Sequence, residues 1–288
     1  MGLLSDGFKN GYGATAPGLH LSPYPDSRNC PFGTKGEHDC GAHSLDFLRE
    51  KIKRETTGAV AAIIIEPVQG TNGNVIPPKG FFAGVQSIAK EIGAVFISDE
   101  MITGFGRTGK MFGCDHEGVI PDMMTIGKGF GGGFPVSGVV TTNEISMSKP
   151  WSNPSGSSSS YGGNPLASAA CDTTLQIILR DKLVENAATV GAAMLQRLTK
   201  IQQQQPLIGS LRGRGLMIGV DLVNPKDKKP LDKMICKEIF EEGLKRGVLT
   251  MAYVILTRRR AGFRPVLAPR RGSEGSESLV PSERPARL

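Results

Sequence analysis

The feature that most limits the possible folds is a series of short apolar runs that alternate with longer amphipathic segments. VAAIIIE (60–66) is rich in β-branched residues and has no polar alternation, which is typical of a strand buried on both faces of a sheet. AVFISD (94–99), DMMTIG (122–127) and VSGVVTT (136–142) predict three more strands, and 80–92 predicts a helix. This alternation predicts an α/β fold with a parallel-rich sheet flanked by helices.

Changes in composition divide the chain into four segments, which are residues 1–43, 44–204, 205–253 and 254–288. The first is dense in turn residues without any period, and we expect it to be a turn-rich part of a large domain. The second holds the strands, a helix that begins at Ser44, and helices over 165–179 and 181–204. The third contains two strands joined by a glycine turn and a helix over 231–246, which predicts the start of a smaller α+β domain.

The net charge of +7 is concentrated in the last of these segments. Residues 254–288 contain eight arginines, no lysine and three glutamates, which account for +5 of the net charge. A basic segment can bind polyanions. However, its Arg, Pro, Gly and Ser bias without periodicity is typical of disorder. We therefore expect a basic, disordered tail, and we do not expect a nucleic-acid-binding protein.

Three features bear on the cellular compartment. No run of about 18 apolar residues exists, so we expect no membrane span. The start, MGLLSDGFKNGYG, has neither the basic nor the apolar region of a secretory signal. Five widely spaced cysteines, an odd number, argue against a disulfide framework. Together these features predict a soluble, cytoplasmic protein.

Two glycine-rich motifs have the spacing of nucleotide-binding loops but not the context. GFGRTG (104–109) neither follows a strand directly nor opens a long helix, as a dinucleotide site requires. Around Lys128, a phosphate-binding loop would need Gly where Asp122 stands and Ser or Thr where Gly129 stands. We therefore predict neither kind of nucleotide site.

A metal site is not predicted either. The spacing of the candidate zinc ligands matches no common zinc motif; these ligands are Cys30, His38, Cys40 and His43. His116 and Cys114 lie in a glycine-rich turn without an obvious partner. We expect a surface or core role for both.

Lys128 and Asp99 are the candidates for chemistry. Asp99 ends the strand AVFISD, at the sheet edge where α/β folds bind ligands, although by itself it is equally well a helix cap or an ion-pair partner. Lys128 lies in the apolar, glycine-rich stretch TIGKGFGGGFP, where it could clamp a phosphate, occupy a surface loop without a role, or do covalent chemistry. A lysine removed from water can act as the nucleophile that forms an imine. An imine-forming lysine and an acid that keeps a heterocyclic nitrogen protonated are the pair that pyridoxal phosphate (PLP) requires.

Four stretches, in this order and spacing, resemble the class III PLP-dependent aminotransferases. They are EPVQGTNGNVIPPKGF, SDEMITGFGRTGKMFGCDHEGVIPDMMTIGKGFGGGFPVSGVV, SSSSYGGNPLASAA and LRGRGLMIGVDLV, and the resemblance covers 24–253. The family includes 4-aminobutyrate, ornithine, alanine–glyoxylate and other ω-amino-acid enzymes. It implies a fold-type I large domain with part of a smaller C-terminal domain, PLP as cofactor, and a homodimer with a shared active site. The implied reaction moves an amino group from an amine or ω-amino acid donor to a 2-oxo acid.

The resemblance also assigns a role to four residues. Lys128 corresponds to the Schiff-base lysine that moves a proton between the substrate carbon and the cofactor. Asp99 corresponds to the partner of the pyridinium nitrogen, and Met101 to the residue that packs on the ring face. Ser160 corresponds to the hydroxyl residue that reaches the phosphate of the neighbouring subunit's cofactor.

Departures from the family pattern lead us to expect impaired activity. Ile102 stands where many members have Gln, and Thr71 stands where several have Glu. We expect the family's N-terminal phosphate-gripping turn and ring-stacking aromatic residue to be missing, which leaves an organellar form open. The family's C-terminal gating arginine has no clear counterpart. The alternatives are a catalytically inactive fragment that acts as a dimerising or binding module, and decarboxylation or racemisation on the same lysine.

Overall fold

The computed structural model describes residues 17–33, 37–255 and 258–263, and for 37–39, 233, 251–255 and 258–263 it describes the backbone only. The first of its two four-stranded sheets has the strand order β1-β2-β3-β4. These strands are β1 (Ala62–Ile65), β2 (Val95–Asp99), β3 (Met123–Gly127) and β4 (Ser137–Thr141). The first three strands are parallel, and β4 runs antiparallel to β3. The predicted parallel-rich α/β sheet is therefore confirmed.

Five helices accompany the sheets, and α2 connects β1 to β2. They are α1 (Glu37–Glu55), α2 (Phe81–Glu91), α3 (Asn143–Ser146), α4 (Pro165–Arg180) and α5 (Leu183–Gln204), of which α5 packs against the second sheet. Asn164 caps α4 by accepting a hydrogen bond from Ala167 N, and Pro165 at the first helical position fits the cap. The predicted helices over 165–179 and 181–204 are confirmed with shifts of one or two residues at their ends. Within the described ranges, no helix has both the length and the apolarity that a bilayer span needs.

The first helix differs from its prediction because it begins at Glu37 and not at Ser44. Ser44 is buried inside the helix, and its Oγ donates to Cys40 O over 2.8 Å. A serine hydroxyl can bond a backbone carbonyl one turn earlier as well as it can cap a helix. The sequence pattern did not distinguish the two uses.

The core of the first sheet lies between the strands β1 to β3 and the helix α2. Phe82 and Phe96 are almost fully buried and meet edge to face, with ring centroids 5.3 Å apart. Ile63 and Ile65 of β1 pack against the same cluster. Ile64, on the other face, is 38% exposed, so the prediction that this strand is buried on both faces is wrong. The reason is that the described residues cover only the face of β1 that carries Ile63 and Ile65.

The second sheet is antiparallel, with the strand order β5-β6-β8-β7. Its elements are β5 (Ile208–Arg214), β6 (Met217–Leu222), α6 (Lys233–Lys245), β7 (Met251–Ile255) and β8 (Arg258–Phe263). The predicted strand–turn–strand and the helix that follows it are confirmed. The proposed domain limits themselves stay predictions.

The prediction of a disordered tail from residue 254 is not met by the part of that tail that the structure describes. Arg258–Phe263 pairs with β6 on one side and β7 on the other. Strands pair through hydrogen bonds between backbone groups, so a composition without periodicity does not prevent strand pairing. Residues 264–288 lie outside the described residues.

A network of buried charges joins the second sheet to the first. Arg28 pairs with Asp26 and with Asp221 of β6, at 2.7 and 2.6 Å. Arg212 pairs with Asp221 at 3.0 Å, and its Nε donates to Gly73 O over 2.9 Å. The network therefore ties residues 17–33 and the loop after β1 to β5 and β6.

Candidate active site

The site is formed where the parallel strands β2 and β3 end next to each other. Asp99, the last residue of β2, lies opposite Thr125 of β3 in the strand register. Its Oδ1 accepts hydrogen bonds from Thr125 Oγ1 over 2.9 Å and from Met101 N over 3.1 Å. Both described hydrogen bonds end at Oδ1, so Oδ2 has no partner among the described hydrogen bonds. Asp99 is half-buried, which fits a carboxylate at the edge of a binding site.

Lys128 follows the next strand end. It begins a 3-10 helix, Lys128–Gly131, and has a φ of 47° in the left-handed region that few non-glycine residues adopt. Such backbone strain is concentrated at functional positions. The expectation that Lys128 is removed from water is wrong for the single chain, in which its side chain is exposed. The reason is that the cavity beside it is open to solvent on one side.

Met101 is held against the backbone that precedes Lys128. A Cβ atom placed on Gly127 would lie 2.6 Å from Met101 Cε and 3.0 Å from its Sδ, so only glycine leaves room for this contact. Phe105 and Phe130 stack with ring centroids 4.6 Å apart, which fixes the turn after β2 against the 3-10 helix. The structure therefore brings three predicted residues, Asp99, Met101 and Lys128, to one place.

A cavity of about 400 Å³ lies beside Met101 and Lys128, and Asp99 is not among the residues that line it. Its walls include Met101 and Lys128, together with Ile102, Phe105 and the C-terminal half of α4. Ile102 also packs on the loop after β1, because a Cβ on Gly70 would lie 2.5 Å from Ile102 Cδ1. The departure from the family pattern at Ile102 thus places an apolar side chain in the cavity wall.

Ser160 is the predicted site residue that lies elsewhere. It is exposed in the turns before α4, next to a second, open cavity of about 790 Å³ whose walls include its neighbours Ser159 and Tyr161. The structure does not bring it to the Lys128 cavity. Its expected role concerns the cofactor of a neighbouring subunit, so this role stays a prediction.

Two site residues were not found from the sequence. Thr125 orients Asp99 through its hydroxyl, and its position three residues before Lys128 in a parallel strand was the available signal. Glu100, next to Asp99, is fully buried and accepts four hydrogen bonds. An acidic residue directly after a strand-end aspartate was its signal.

The structure also supplies partners for His116 and Cys114. His116 Nε2 lies 3.0 Å from Thr108 Oγ1, and burial, with a smaller contribution from the nearby Arg214, lowers the pKa of its imidazole. Cys114 is buried, and its backbone N donates a hydrogen bond to the Glu100 carboxylate. Burial raises the pKa of its thiol. Both residues have the structural role that we expected.

Comparison with known proteins identifies the family. The sequence profile of "Aminotransferase class-III" matches residues 2–257. Leucine/methionine racemase of Thermococcus litoralis is 41% identical over 212 residues, which are 73% of this chain and 47% of the relative. Ornithine aminotransferase of Bacillus subtilis is 37% identical over 238 residues, which are 82% of this chain and 51% of the relative.

Solved structures agree with the sequence relatives. An amine transaminase from an uncultivated Pseudomonas species, described in its PLP-bound form, superposes with a TM-score of 0.81 at 30% identity, over 90% of this chain and 60% of that one. An (S)-enantioselective ω-transaminase from Thermomicrobium roseum gives a TM-score of 0.78 at 32% identity, over 92% and 59%. The chain spans about half the length of the curated relatives it matches. It has the fold-type I architecture, and it belongs to the class III aminotransferase family.

Proposed function

We propose that this protein is a PLP-dependent aminotransferase that moves an amino group from an amine or ω-amino acid donor to a 2-oxo acid. The observation that carries the proposal is the placement of Asp99 and Lys128 at the ends of two adjacent parallel strands, with Met101 packed against Gly127, directly before Lys128. Family membership supports the same reaction class.

The residues at these strand ends fit the cofactor. When bound, pyridoxal phosphate supplies the electron sink that stabilises negative charge on a substrate carbon. Asp99 Oδ2 would accept the ring N–H and keep that nitrogen protonated, since Oδ1 is already occupied by two donors. Met101, which packs against Gly127, would contact one face of the ring.

Lys128 would do the proton chemistry. Its amine would hold the cofactor covalently in the resting protein and then carry a proton at the donor carbon after a substrate amine replaces it. Lys128 has a left-handed backbone, begins the 3-10 helix and lies in the cavity wall. Because this side chain is on a flexible four-carbon stem, it can reach more than one atom in turn.

A second copy of the chain would complete the site. Large apolar side chains are exposed on β4, in the segment between β4 and α4, and at the start of α4, and monomeric proteins rarely expose large apolar patches. They are Val139, Val140, Met147, Trp151, Tyr161 and Leu166. Ser160 lies in the same segment, so a homodimer formed through it would bring that hydroxyl to a neighbouring cofactor.

A catalytically inactive binding module is the second candidate. It is favoured by the exposure of Lys128, because an imine-forming lysine is usually enclosed in an apolar site. In this case the chain would form the proposed dimer without turnover.

Borohydride reduction of PLP-treated protein tests the proposal. We expect a stable pyridoxyl adduct on Lys128, and Lys128→Ala should lack it. Lys182 is a matched control because it is also exposed and also has a left-handed backbone, with a φ of 51°. Lys182→Ala should label as the parent does, and equal labelling of all three proteins would refute the assignment. An adduct on Lys128 without conversion by any amine donor would favour the inactive module.

A further inference from the structure

Glu100 is a buried carboxylate between two residues of the proposed site. Its side chain has no exposed surface, although burial of an ionisable group is costly unless hydrogen bonds replace its hydration. Its backbone N donates to Thr125 O of β3 over 3.0 Å, which continues the strand pairing one residue beyond Asp99. Glu100 is therefore the first residue of the turn that leaves the sheet at the site.

Four donors converge on the carboxylate of Glu100. Oε1 accepts from Ser98 Oγ over 3.0 Å and from Cys114 N over 2.9 Å. Oε2 accepts from Gly113 N over 2.8 Å and from Thr103 Oγ1. A carboxylate is the side-chain group that accepts four hydrogen bonds without donating any. The four donors belong to β2, to the turn after β2 and to the 3-10 helix Gly113–Glu117, so one side chain connects three segments.

The same turn carries the groups that face the cofactor site. Gly104 N donates to Glu100 O over 3.0 Å, which closes the turn. Met101 N, the first amide after Glu100, donates to Asp99 Oδ1 over 3.1 Å, and Met101 Cε packs against Gly127. A shift of the turn would therefore rotate the Asp99 carboxylate and move the Met101 side chain together.

We propose that Glu100 is a positioning residue for cofactor binding. Its four hydrogen bonds hold the turn after β2 so that Asp99 presents Oδ2 to the ring nitrogen and Met101 stays against Gly127. The effect on PLP rests on the proposed function, whereas the control of the turn is a property of the chain itself. Glutamine cannot replace Glu100, because its amide nitrogen would face the N–H of Gly113 or Cys114 with a second donor.

Glu117 provides a matched control. Its carboxylate is half-buried and also accepts two backbone amides, Gly80 N over 3.2 Å and Ala83 N over 3.0 Å, but these belong to the start of α2. Glu117→Gln makes the same chemical change on the 3-10 helix that donates to Glu100, but it does not alter the turn after β2. Glu100→Gln and Glu117→Gln should both lower the urea midpoint of unfolding.

Two measurements distinguish positioning from general destabilisation. The first is amide hydrogen exchange of the peptide that contains residues 99–105, without cofactor. The second is the Kd for PLP by titration, with the pH dependence of the visible absorbance of the bound cofactor. Loss of one hydrogen bond that holds the site corresponds to about fivefold in an equilibrium constant. We expect at least this change in both measurements for Glu100→Gln, and a shift of the absorbance profile with pH. Glu117→Gln should stay within about twofold.

Each other outcome has a definite meaning. If Glu100→Gln exchanges and binds as the parent does, or if Glu117→Gln changes both quantities equally, the proposal is overturned. If the parent itself does not bind PLP, the proposed function fails, and exchange alone decides the positioning role. If Glu100→Gln does not fold, Thr103→Val removes one of the four donors at similar size. Thr103→Val should then raise exchange of the same peptide, and unchanged exchange would overturn the proposal.

Discussion

Asparagine at position 99 would remove a charge from the site while it keeps the local structure. Both described hydrogen bonds to Asp99, from Thr125 Oγ1 and Met101 N, end at Oδ1. The amide oxygen of asparagine can accept both of them. We therefore expect the free energy of unfolding of Asp99→Asn to differ from that of the parent by less than about 1 kcal/mol.

The change is concentrated at the second oxygen, where a carboxylate becomes an amide that donates. A hydrogen bond to a charged group is worth about 1.5–3 kcal/mol, so loss of the contact with the protonated ring nitrogen should weaken PLP binding about ten- to 150-fold. Carbanion stabilisation should fall further, because an unprotonated ring is a weaker electron sink.

The assay is a PLP titration of both proteins, followed by a single-turnover reaction with an amine donor. Asp122→Asn is the matched control, because it makes the same charge change at the opposite end of β3 from Lys128, where Asp122 accepts a hydrogen bond from Phe96 N over 2.8 Å. A Kd for Asp99→Asn within about threefold of the parent, or an equal loss in Asp122→Asn, would refute the electrostatic role of Asp99.

Three other perturbations test different parts of the structure. Arg212→Ala removes the buried partner of Asp221 and two carbonyl contacts, so unfolding in urea should show a loss of about 3–5 kcal/mol, and a loss below about 1 kcal/mol would contradict the network. Burial lowers the pKa of His116 in the folded state, so the unfolded state binds its proton first as the pH falls through 6.5. Stability should therefore decrease on acidification below that pH, and His116→Asn should flatten this slope; parallel slopes would contradict it. Gly127→Ala should displace Met101, lower the free energy of unfolding by about 1–3 kcal/mol and weaken PLP binding. Gly129→Ala is the control, because a Cβ at that position meets nothing within 4 Å, and it should change neither quantity. Equal effects of the two substitutions would contradict the packing of Met101 on Gly127.

The sequence predicted the elements of the site better than its surroundings. Asp99 and Lys128 could be placed because each follows a short apolar run, and the carboxyl ends of parallel strands meet at one sheet edge. The contribution of Thr125 could not be predicted, since it depends on the strand register. Neither could the exposure of Lys128, which depends on which surfaces close around a loop and not on the composition of that loop.

Surroundings also decide the remaining differences. The run at 60–66 has the composition of a fully buried strand, but β1 lies at the edge of the described sheet, and strand composition does not say which neighbours are present. Glu100 could be seen as an acidic residue, but its four donors come from residues up to 14 positions away, which no local pattern encodes.

The charge network around Asp221 has a consequence for the order in which the chain folds. Arg28 and Asp221 are 193 residues apart in sequence, and Arg212 and Gly73 are 139 apart. Contacts over such separations carry a large loop-closure entropy and form after local structure has shortened the effective loop. During synthesis, the partner of Arg28 leaves the ribosome only after the whole of the first sheet. Tyr24 of the same segment can bond Glu66 O earlier, but the ion pair between Arg28 and Asp221 forms only after β6 has been made, so destabilising the second sheet should delay the completion of this network.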